Sequence, residues 1–106
     1  MVIATLRMVV PTERQDDVLR TLRTVTGPTR AQLRCISCHI YQGVEDTNLV
    51  TFVQEWESQE ALDDYIRSDV YRRILALMEL ASEQPEVKFI TASHTAGMEL
   101  IEKLRG

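Results

Sequence analysis

The chain has 106 residues, 44% of them hydrophobic and 26% charged, which is typical of one soluble globular domain. Its formal net charge is −4, and a surface that binds nucleic acid needs clustered Lys and Arg, so composition argues against a nucleic-acid partner. No apolar run approaches the roughly 18 residues of a membrane span, and the N-terminal residues lack the basic start and cleavage site of a secretory signal. We therefore expect a cytoplasmic protein with no membrane partner.

The first half of the chain predicts a strand, a helix and a hairpin. Alternating apolar residues predict strand 1 over Val2–Val10. Thr12 is a candidate N-cap for helix 1, and the Gly27-Pro28 pair predicts the end of that helix. Residues 35–42 and 49–56 are predicted as strands 2 and 3 of an antiparallel hairpin, since only a polar turn separates them.

The second half predicts two helices around one more strand. Ser58 is a good N-cap for helix 2, and Ser68-Asp69 predicts a kink or a local restart within it. Strand 4 is predicted over Val87–Ala92, and Thr95–Leu104 predicts a short C-terminal helix. Three apolar residues of that helix are expected to point inward: Met98, Ile101 and Leu104.

The order of these elements is βαββαβ followed by a helix, which predicts an α+β fold of the ferredoxin-like, split-βαβ type. We expect a single domain over residues 1–106, with a core of residues 1–92 and a helical tail of residues 93–106. Strands 1 and 3 carry apolar residues on both faces, but the two main helices can cover only one face. A second copy of the same sheet is the simplest cover for the other face, so we expect a homodimer.

The two cysteines, Cys35 and Cys38, form a C-x-x-C pattern within predicted strand 2. Residues three apart in a regular strand point to opposite faces, with Cα atoms roughly 10 Å apart, beyond the ~7 Å limit for a disulfide. The second pair of ligands that a zinc site needs is absent, because only His39 and the distant His94 remain. We therefore expect two reduced thiols and no metal site.

The run Glu55-Trp56-Glu57-Ser58, followed by Glu60-Ala61-Leu62, resembles a signature of the antibiotic biosynthesis monooxygenase (ABM) family. The resemblance implies a dimeric α/β barrel with a pocket between sheet and helices in each subunit. It also implies oxygenation of a small phenol, quinol or anthrone-like substrate without metal, flavin or any other cofactor. In that chemistry the substrate anion gives an electron to O₂, and the protein orients the substrate and favours its anion.

Two positions depart from the family pattern. Tyr65 stands nine residues after Trp56, where the family often has His, and Arg34 stands where a Gly commonly precedes the strand-2 Cys. Predicted strand 1 contains no Asn, which the haem-degrading members of the family use. These departures argue against haem degradation and leave the catalytic base unassigned.

Trp56 and Tyr65 are the first candidates for a catalytic site. The two rings could bracket a flat aromatic ligand, with Trp56 as a wall on the sheet side and Tyr65 donating a hydrogen bond from helix 2. The alternative for both residues is burial in the core without a functional role.

The remaining candidates are His39 as a general base and Phe52, Tyr71 and Arg72 as substrate-binding residues. His39 could instead be a sheet residue at the dimer surface, and an exposed helix face would also explain Arg72. The sequence therefore favours a cofactor-independent monooxygenase for a small aromatic phenol or quinol. The alternative is a non-catalytic ligand-binding or sensor domain on the same dimeric scaffold.

Overall fold

The computed structural model describes residues 1–106 and contains one antiparallel sheet of four strands. Its elements are, in chain order, β1 (Val2–Val9), a 3-10 turn (Thr12–Arg14), α1 (Gln15–Arg30), β2 (Cys35–Gln42), β3 (Leu49–Trp56), α2 (Gln59–Ile66), α3 (Asp69–Met78), β4 (Glu86–Thr91) and α4 (Met98–Arg105). The strands lie in the order β2-β3-β1-β4. This arrangement confirms the predicted α+β, ferredoxin-like fold.

The core lies between one face of the sheet and a layer formed by α1, α2 and α3. Side chains along a strand alternate between faces, so every second residue of β1 and β3 points into this core. The core contains 18 buried apolar residues, all of them between Val2 and Leu77. The largest of these with almost no exposed surface are Trp56, Tyr65 and Phe52.

Helix α1 starts later than predicted. It begins at Gln15, directly after the 3-10 turn, and no side chain caps its first turn. Thr12, the predicted cap, instead donates a hydrogen bond from Oγ1 to Asn48 Oδ1 over 3.3 Å. That contact ties the start of the helix to the hairpin between β2 and β3.

The predicted end of α1 at Gly27-Pro28 is wrong, because the helix continues to Arg30. Pro28 lies in the last turn, where its missing N–H removes one helical hydrogen bond. The next residue, Thr29, is fully buried and shares a hydrogen bond with Tyr65. Tertiary packing thus extends the helix past a pair of residues that locally favours its end.

The predicted cap at Ser58 and the predicted restart at Ser68-Asp69 are both confirmed. Ser58 accepts a hydrogen bond from the Ala61 N–H at the start of α2, over 3.2 Å. Ser68 accepts one from the Tyr71 N–H over 3.4 Å, so the predicted restart is the boundary between α2 and α3. These two caps fix where α2 leaves β3 and where the chain bends back over the sheet.

The C-terminal quarter of the chain lies outside the core. All six residues of β4 are exposed, and α4 contains no buried residue. Met98, Ile101 and Leu104, predicted to point inward, are 65%, 51% and 75% exposed, so that prediction is wrong for the single chain. None of the helices is long and apolar enough to cross a membrane.

Candidate functional site

Three aromatic rings from three elements meet in the core. Trp56 ends β3, Tyr65 lies in α2 and Tyr71 lies in α3. The ring centroids of Trp56 and Tyr65 are 4.6 Å apart, and those of Tyr65 and Tyr71 are 5.5 Å apart in an edge-to-face arrangement. At 4.6 Å the first two rings are in contact. A flat ligand therefore does not fit between them in this arrangement, contrary to the bracketing expected from sequence.

The polar atoms of this aromatic cluster are buried and few. Tyr65 Oη and Thr29 Oγ1 share a hydrogen bond over 2.8 Å. Trp56 Nε1 is buried and has no hydrogen-bond partner on the protein. Gln54, also buried, lies two residues before Trp56 on the same face of β3. The cluster thus offers hydroxyl and amide groups around one indole donor that the fold itself leaves unused.

Burial keeps the titratable groups near this cluster protonated. Burial raises the pKa of the Tyr65 phenol far above its usual value, although the hydrogen bond with Thr29 opposes the shift. Burial, and then the neighbouring Cys35 thiol, raise the pKa of the Cys38 thiol to about 12. At neutral pH both side chains are uncharged hydrogen-bond donors, so neither can serve as a base there.

The candidates chosen from sequence fall into two groups. Trp56, Tyr65 and Tyr71 lie together, and Phe52 is fully buried on the same face of β3 as Trp56. The other two candidates lie apart from this cluster, and both are exposed: His39 and Arg72.

Each of the two outlying candidates has a partner of its own. The His39 ring lies on the other face of the sheet, 6.2 Å from the ring of Tyr41. Arg72 lies on the surface of α3, where its guanidinium is 3.4 Å from the Asp69 carboxylate. The structure therefore brings neither the proposed base nor the proposed cation to the aromatic cluster.

A β-bulge in β2 corrects the expected placement of the cysteines. Cys35 pairs with Trp56, and Cys38 pairs with Gln54, because the register shifts between Cys35 and Ser37. One extra residue in a strand reverses the alternation of its side chains. Both thiols therefore lie on the helix-facing side of the sheet, whereas the sequence predicted opposite faces; both are free.

Sequence reasoning missed Thr29, Gln54 and Cys38 as parts of the site. Thr29 could have been found, since it extends the buried stripe of α1 at the helical spacing Val18, Leu22, Val25, Thr29. Gln54 gave a weaker signal, as a polar residue in the alternating apolar set of β3. No pattern in the sequence predicts the bulge that turns Cys38 toward the cluster.

A groove of about 250 Å³ lies at the edge strand β2, beside the aromatic cluster. Six residues line it: Arg30, Cys35, Ile36, Ser37, Cys38 and His39. No group of three or more His, Cys, Asp or Glu side chains is placed to hold a metal ion. Two of the lining residues, Cys35 and Cys38, pair with Trp56 and Gln54 across the sheet.

The family model described as "Antibiotic biosynthesis monooxygenase" (ABM) matches residues 1–77. This chain belongs to the ABM family. The matched residues include β1, α1, β2, β3, α2 and nearly all of α3, and hence every residue of the aromatic cluster. No curated protein matches the sequence.

Solved structures share the ABM fold at low sequence identity. A conserved protein from Methanosarcina mazei Go1 has a TM-score of 0.81 at 22% identity, over 87% of this chain and 92% of its own. Rv0793 from Mycobacterium tuberculosis has a TM-score of 0.81 at 21% identity, over 91% and 98%. A structure named antibiotic biosynthesis monooxygenase has a TM-score of 0.78 at 20% identity, over 89% and 100%. At these identities the likeness concerns the fold.

The ABM signature has a structural explanation in this chain. Its Trp56 is the largest fully buried side chain, its Ser58 caps α2, and Ala61 and Leu62 are buried on the inner face of that helix. The signature thus fixes the junction between β3 and α2 that supports the aromatic cluster.

Arg34, where ABM proteins commonly have Gly, has a φ of +69°. Glycine adopts positive φ without steric cost, which explains the family preference at this position. Here an arginine takes the same left-handed conformation directly before β2.

Proposed function

We propose that this ABM protein is a cofactor-independent monooxygenase that oxidises a small aromatic phenol or quinol. The family supports the reaction class. The observation that carries the proposal for this chain is the Trp56 N–H, fully buried and without a protein acceptor beside Tyr65. A buried unpaired donor costs about 1–3 kcal/mol of stability, so a purely structural residue at this position would favour phenylalanine.

The chemistry suits a substrate that reacts as its own anion. Such a phenolate or enolate transfers an electron to O₂, and the protein contributes by holding the anionic oxygen in a dry, oriented site. Trp56 and Tyr65 supply neutral N–H and O–H donors, and neutral donors stabilise an anion without forming an ion pair. Binding requires the Trp56–Tyr65 contact to open, since the rings touch in the structure.

The test is O₂ consumption by the protein with a panel of hydroquinones and anthrones, in wild type and Trp56→Phe. We expect wild-type turnover, and a loss of about tenfold or more in Trp56→Phe, because a hydrogen bond to a charged group contributes roughly 1.5–3 kcal/mol. Tyr41→Phe is the control, since Tyr41 is an exposed aromatic residue on the other face of the sheet, away from the cluster. Equal turnover in wild type and Trp56→Phe would remove the indole from the mechanism.

A ligand-binding or sensor domain is the second candidate function. The absence of an evident base near the cluster favours it, because Tyr65 and Cys38 are protonated at neutral pH and His39 lies on the other face of the sheet. Tight binding of a quinol with no O₂ consumption across the panel would establish this alternative over the enzyme.

We also propose that the protein works as a homodimer whose sheets face each other. The face of the sheet away from the helices contains Ile90 and Tyr41, which are 46% and 54% exposed. Apolar side chains on an open sheet face commonly mark an interface between proteins. The exposed apolar side of α4 supports the same conclusion, because a helix of 8 residues is not stable without packing.

Sedimentation equilibrium at micromolar concentration tests the homodimer. We expect a dimer for the wild type and a monomer for Ile90→Glu, which places a charge on the proposed interface. Val44→Glu is the matched control, since Val44 is 98% exposed in the hairpin turn. A monomeric wild type would contradict the proposed assembly. The cytoplasmic location expected from the sequence stays a prediction.

A further inference from the structure

The groove at β2 contains one cation that is held in place by the backbone. Arg30, the last residue of α1, donates hydrogen bonds from Nε over 3.1 Å and from Nη2 over 2.8 Å, both to the Cys38 carbonyl oxygen. β2 is an edge strand and pairs with β3 on one side only. The two hydrogen bonds fix the plane of the guanidinium, and Nη1 makes no hydrogen bond to the protein.

The charge of Arg30 has no carboxylate partner. Five other basic side chains of the protein lie within 4 Å of an acidic one: Arg20, Arg34, Arg67, Arg72 and Lys88. Arg30, like the remaining basic side chains of the protein, forms no such pair, and no Asp or Glu lines its groove. In a protein whose net charge is −4, the groove is therefore a local site of positive charge.

The groove borders the aromatic cluster through the two cysteines. Cys35 and Cys38, which line the groove, pair with Trp56 and Gln54 across the sheet and share their helix-facing side. A ligand held at Arg30 therefore lies against the strand that pairs with the end of β3, where Trp56 is. With about 250 Å³, the groove is below the roughly 300–1,000 Å³ of pockets for drug-sized ligands, which suits a single substituted ring.

From this arrangement we infer that Arg30 is the anion-recognition residue of the site and binds a carboxylate substituent on a single-ring phenolic or quinol ligand. Nη1 and the outer edge of the guanidinium face the carboxylate, while the hydroxyl end of the ring is directed toward Trp56 and Tyr65. The inference rests on the proposed function for the ligand class, but binding at Arg30 does not depend on turnover.

The experiment compares two probes that differ only in the carboxylate: 2,5-dihydroxybenzoate and hydroquinone. Their affinities are measured anaerobically by isothermal titration calorimetry on wild type, Arg30→Gln and Arg30→Lys. Arg23→Gln is the matched control, because Arg23 is an exposed arginine on the same helix and does not line the groove. Quenching of Trp56, the single tryptophan, reports whether the bound ring reaches the cluster.

We expect wild type to bind the carboxylate probe at least about tenfold more tightly than hydroquinone, and Arg30→Gln to lose that advantage. Arg30→Lys should retain part of it, and Arg23→Gln all of it. In wild type alone, raising NaCl from about 50 to 500 mM should weaken binding of the carboxylate probe and leave hydroquinone unchanged. This salt comparison needs no variant, so a folding defect in Arg30→Gln cannot obscure the result.

Equal affinity of wild type for the two probes, or no binding of either, would overturn the assignment of Arg30. Measuring O₂ consumption with the same probes distinguishes failure of the Arg30 assignment from failure of the monooxygenase proposal. Carboxylate-dependent binding without O₂ uptake leaves Arg30 assigned and rejects the monooxygenase. Equal turnover of both probes in wild type and Arg30→Gln supports the monooxygenase and rejects the assignment of Arg30.

Discussion

The two phenylalanines of this chain lie on the same face of the sheet in opposite surroundings. Phe52 on β3 pairs with Leu6, and Phe89 on β4 pairs with Ala4; both partners are buried residues of β1. Phe52 is nevertheless fully buried, whereas Phe89 is 47% exposed. The direction of the side chains is thus the same, and the difference is that the helix layer stops before β4.

The same boundary divides the whole chain. The buried core ends at Leu77, and the match to the ABM family also ends at residue 77. Beyond it, β4 adds hydrogen bonds to β1 but buries no side chain, and α4 buries none either. The part of the chain matched by the family thus contains a complete core. The C-terminal segment has apolar surface that, under our proposal, a second copy covers.

The largest effect that we expect comes from substituting the two phenylalanines. Phe52→Ala should lower the free energy of unfolding by about 3–5 kcal/mol, because it leaves a large cavity in a packed core. Phe89→Ala should lower it by less than about 2 kcal/mol, since nearly half of that ring already contacts solvent. Urea denaturation of both variants measures the difference.

Equal losses in the two phenylalanine variants would break the comparison and show that Phe89 is covered in solution. Repeating the Phe89→Ala measurement over a range of protein concentrations then identifies the cover. A loss that shrinks on dilution would indicate a second copy of the chain, since dilution dissociates a dimer and exposes Phe89 in the wild type as well.

A smaller effect is expected from the buried hydrogen bond between Thr29 of α1 and Tyr65 of α2. Tyr65→Phe and Thr29→Val should each lower the free energy of unfolding by about 1–2 kcal/mol, because each removes one partner of a buried bond. The double variant should cost little more than either single change, as expected for two residues in one interaction. Additive losses in this double-mutant cycle would show that the hydroxyls act independently.

The two cysteines are expected to differ in how much stability their thiols cost at alkaline pH. The pKa of Cys38 is raised to about 12 in the folded protein by burial, and then by Cys35, so folding favours the neutral thiol. Its contribution is complete below the unfolded pKa near 9 and is lost as pH rises toward 12, because the unfolded state binds fewer protons there. Stability should therefore fall between pH 8 and pH 10, by about 1 kcal/mol from this thiol.

Cys38→Ala should reduce that alkaline loss, whatever its stability at pH 7. Cys35→Ala is the matched comparison, since Cys35 is only partly buried and its pKa is raised by burial with smaller opposing effects from the Ser37 backbone and Arg30. Urea midpoints at pH 7, 8, 9 and 10 measure both variants. An unchanged pH profile in Cys38→Ala would show that other groups, such as Tyr65 or Tyr71, cause the loss.

Most of the fold could be predicted from the sequence because its local signals agree. Strand alternation, the polar hairpin turn and the caps at Ser58 and Ser68 all favour the observed elements. The errors lie where tertiary contacts override a local preference. Gly27-Pro28 favours the end of a helix, but the buried Thr29 extends α1 to Arg30.

The candidate site was less predictable for two physical reasons. Strand periodicity assumes a regular ladder, and the bulge after Cys35 breaks it, so both thiols turn to one face. Amphipathicity shows that one side of a helix or strand is apolar, but it does not show whether a neighbouring element exists to bury that side. For that reason Met98 was predicted to point inward, yet it is 65% exposed.

The smallest expected effect concerns Arg34, which directly precedes β2. It is the one residue other than glycine with positive φ. The left-handed conformation costs a residue with a Cβ about 1–2 kcal/mol. Glycine avoids that cost but loses roughly 0.5–1 kcal/mol more in entropy on folding. The net expectation is that Arg34→Gly stabilises the fold by about 0.5–1 kcal/mol. The substitution also removes the contact of Arg34 with Glu60, but at 3.8 Å between exposed side chains that ion pair contributes little. Arg34→Ala isolates the backbone effect, because it removes the same ion pair and keeps the Cβ. Thermal unfolding should therefore rank Arg34→Gly above Arg34→Ala, and the reverse order would mean that the strand start tolerates this conformation without strain.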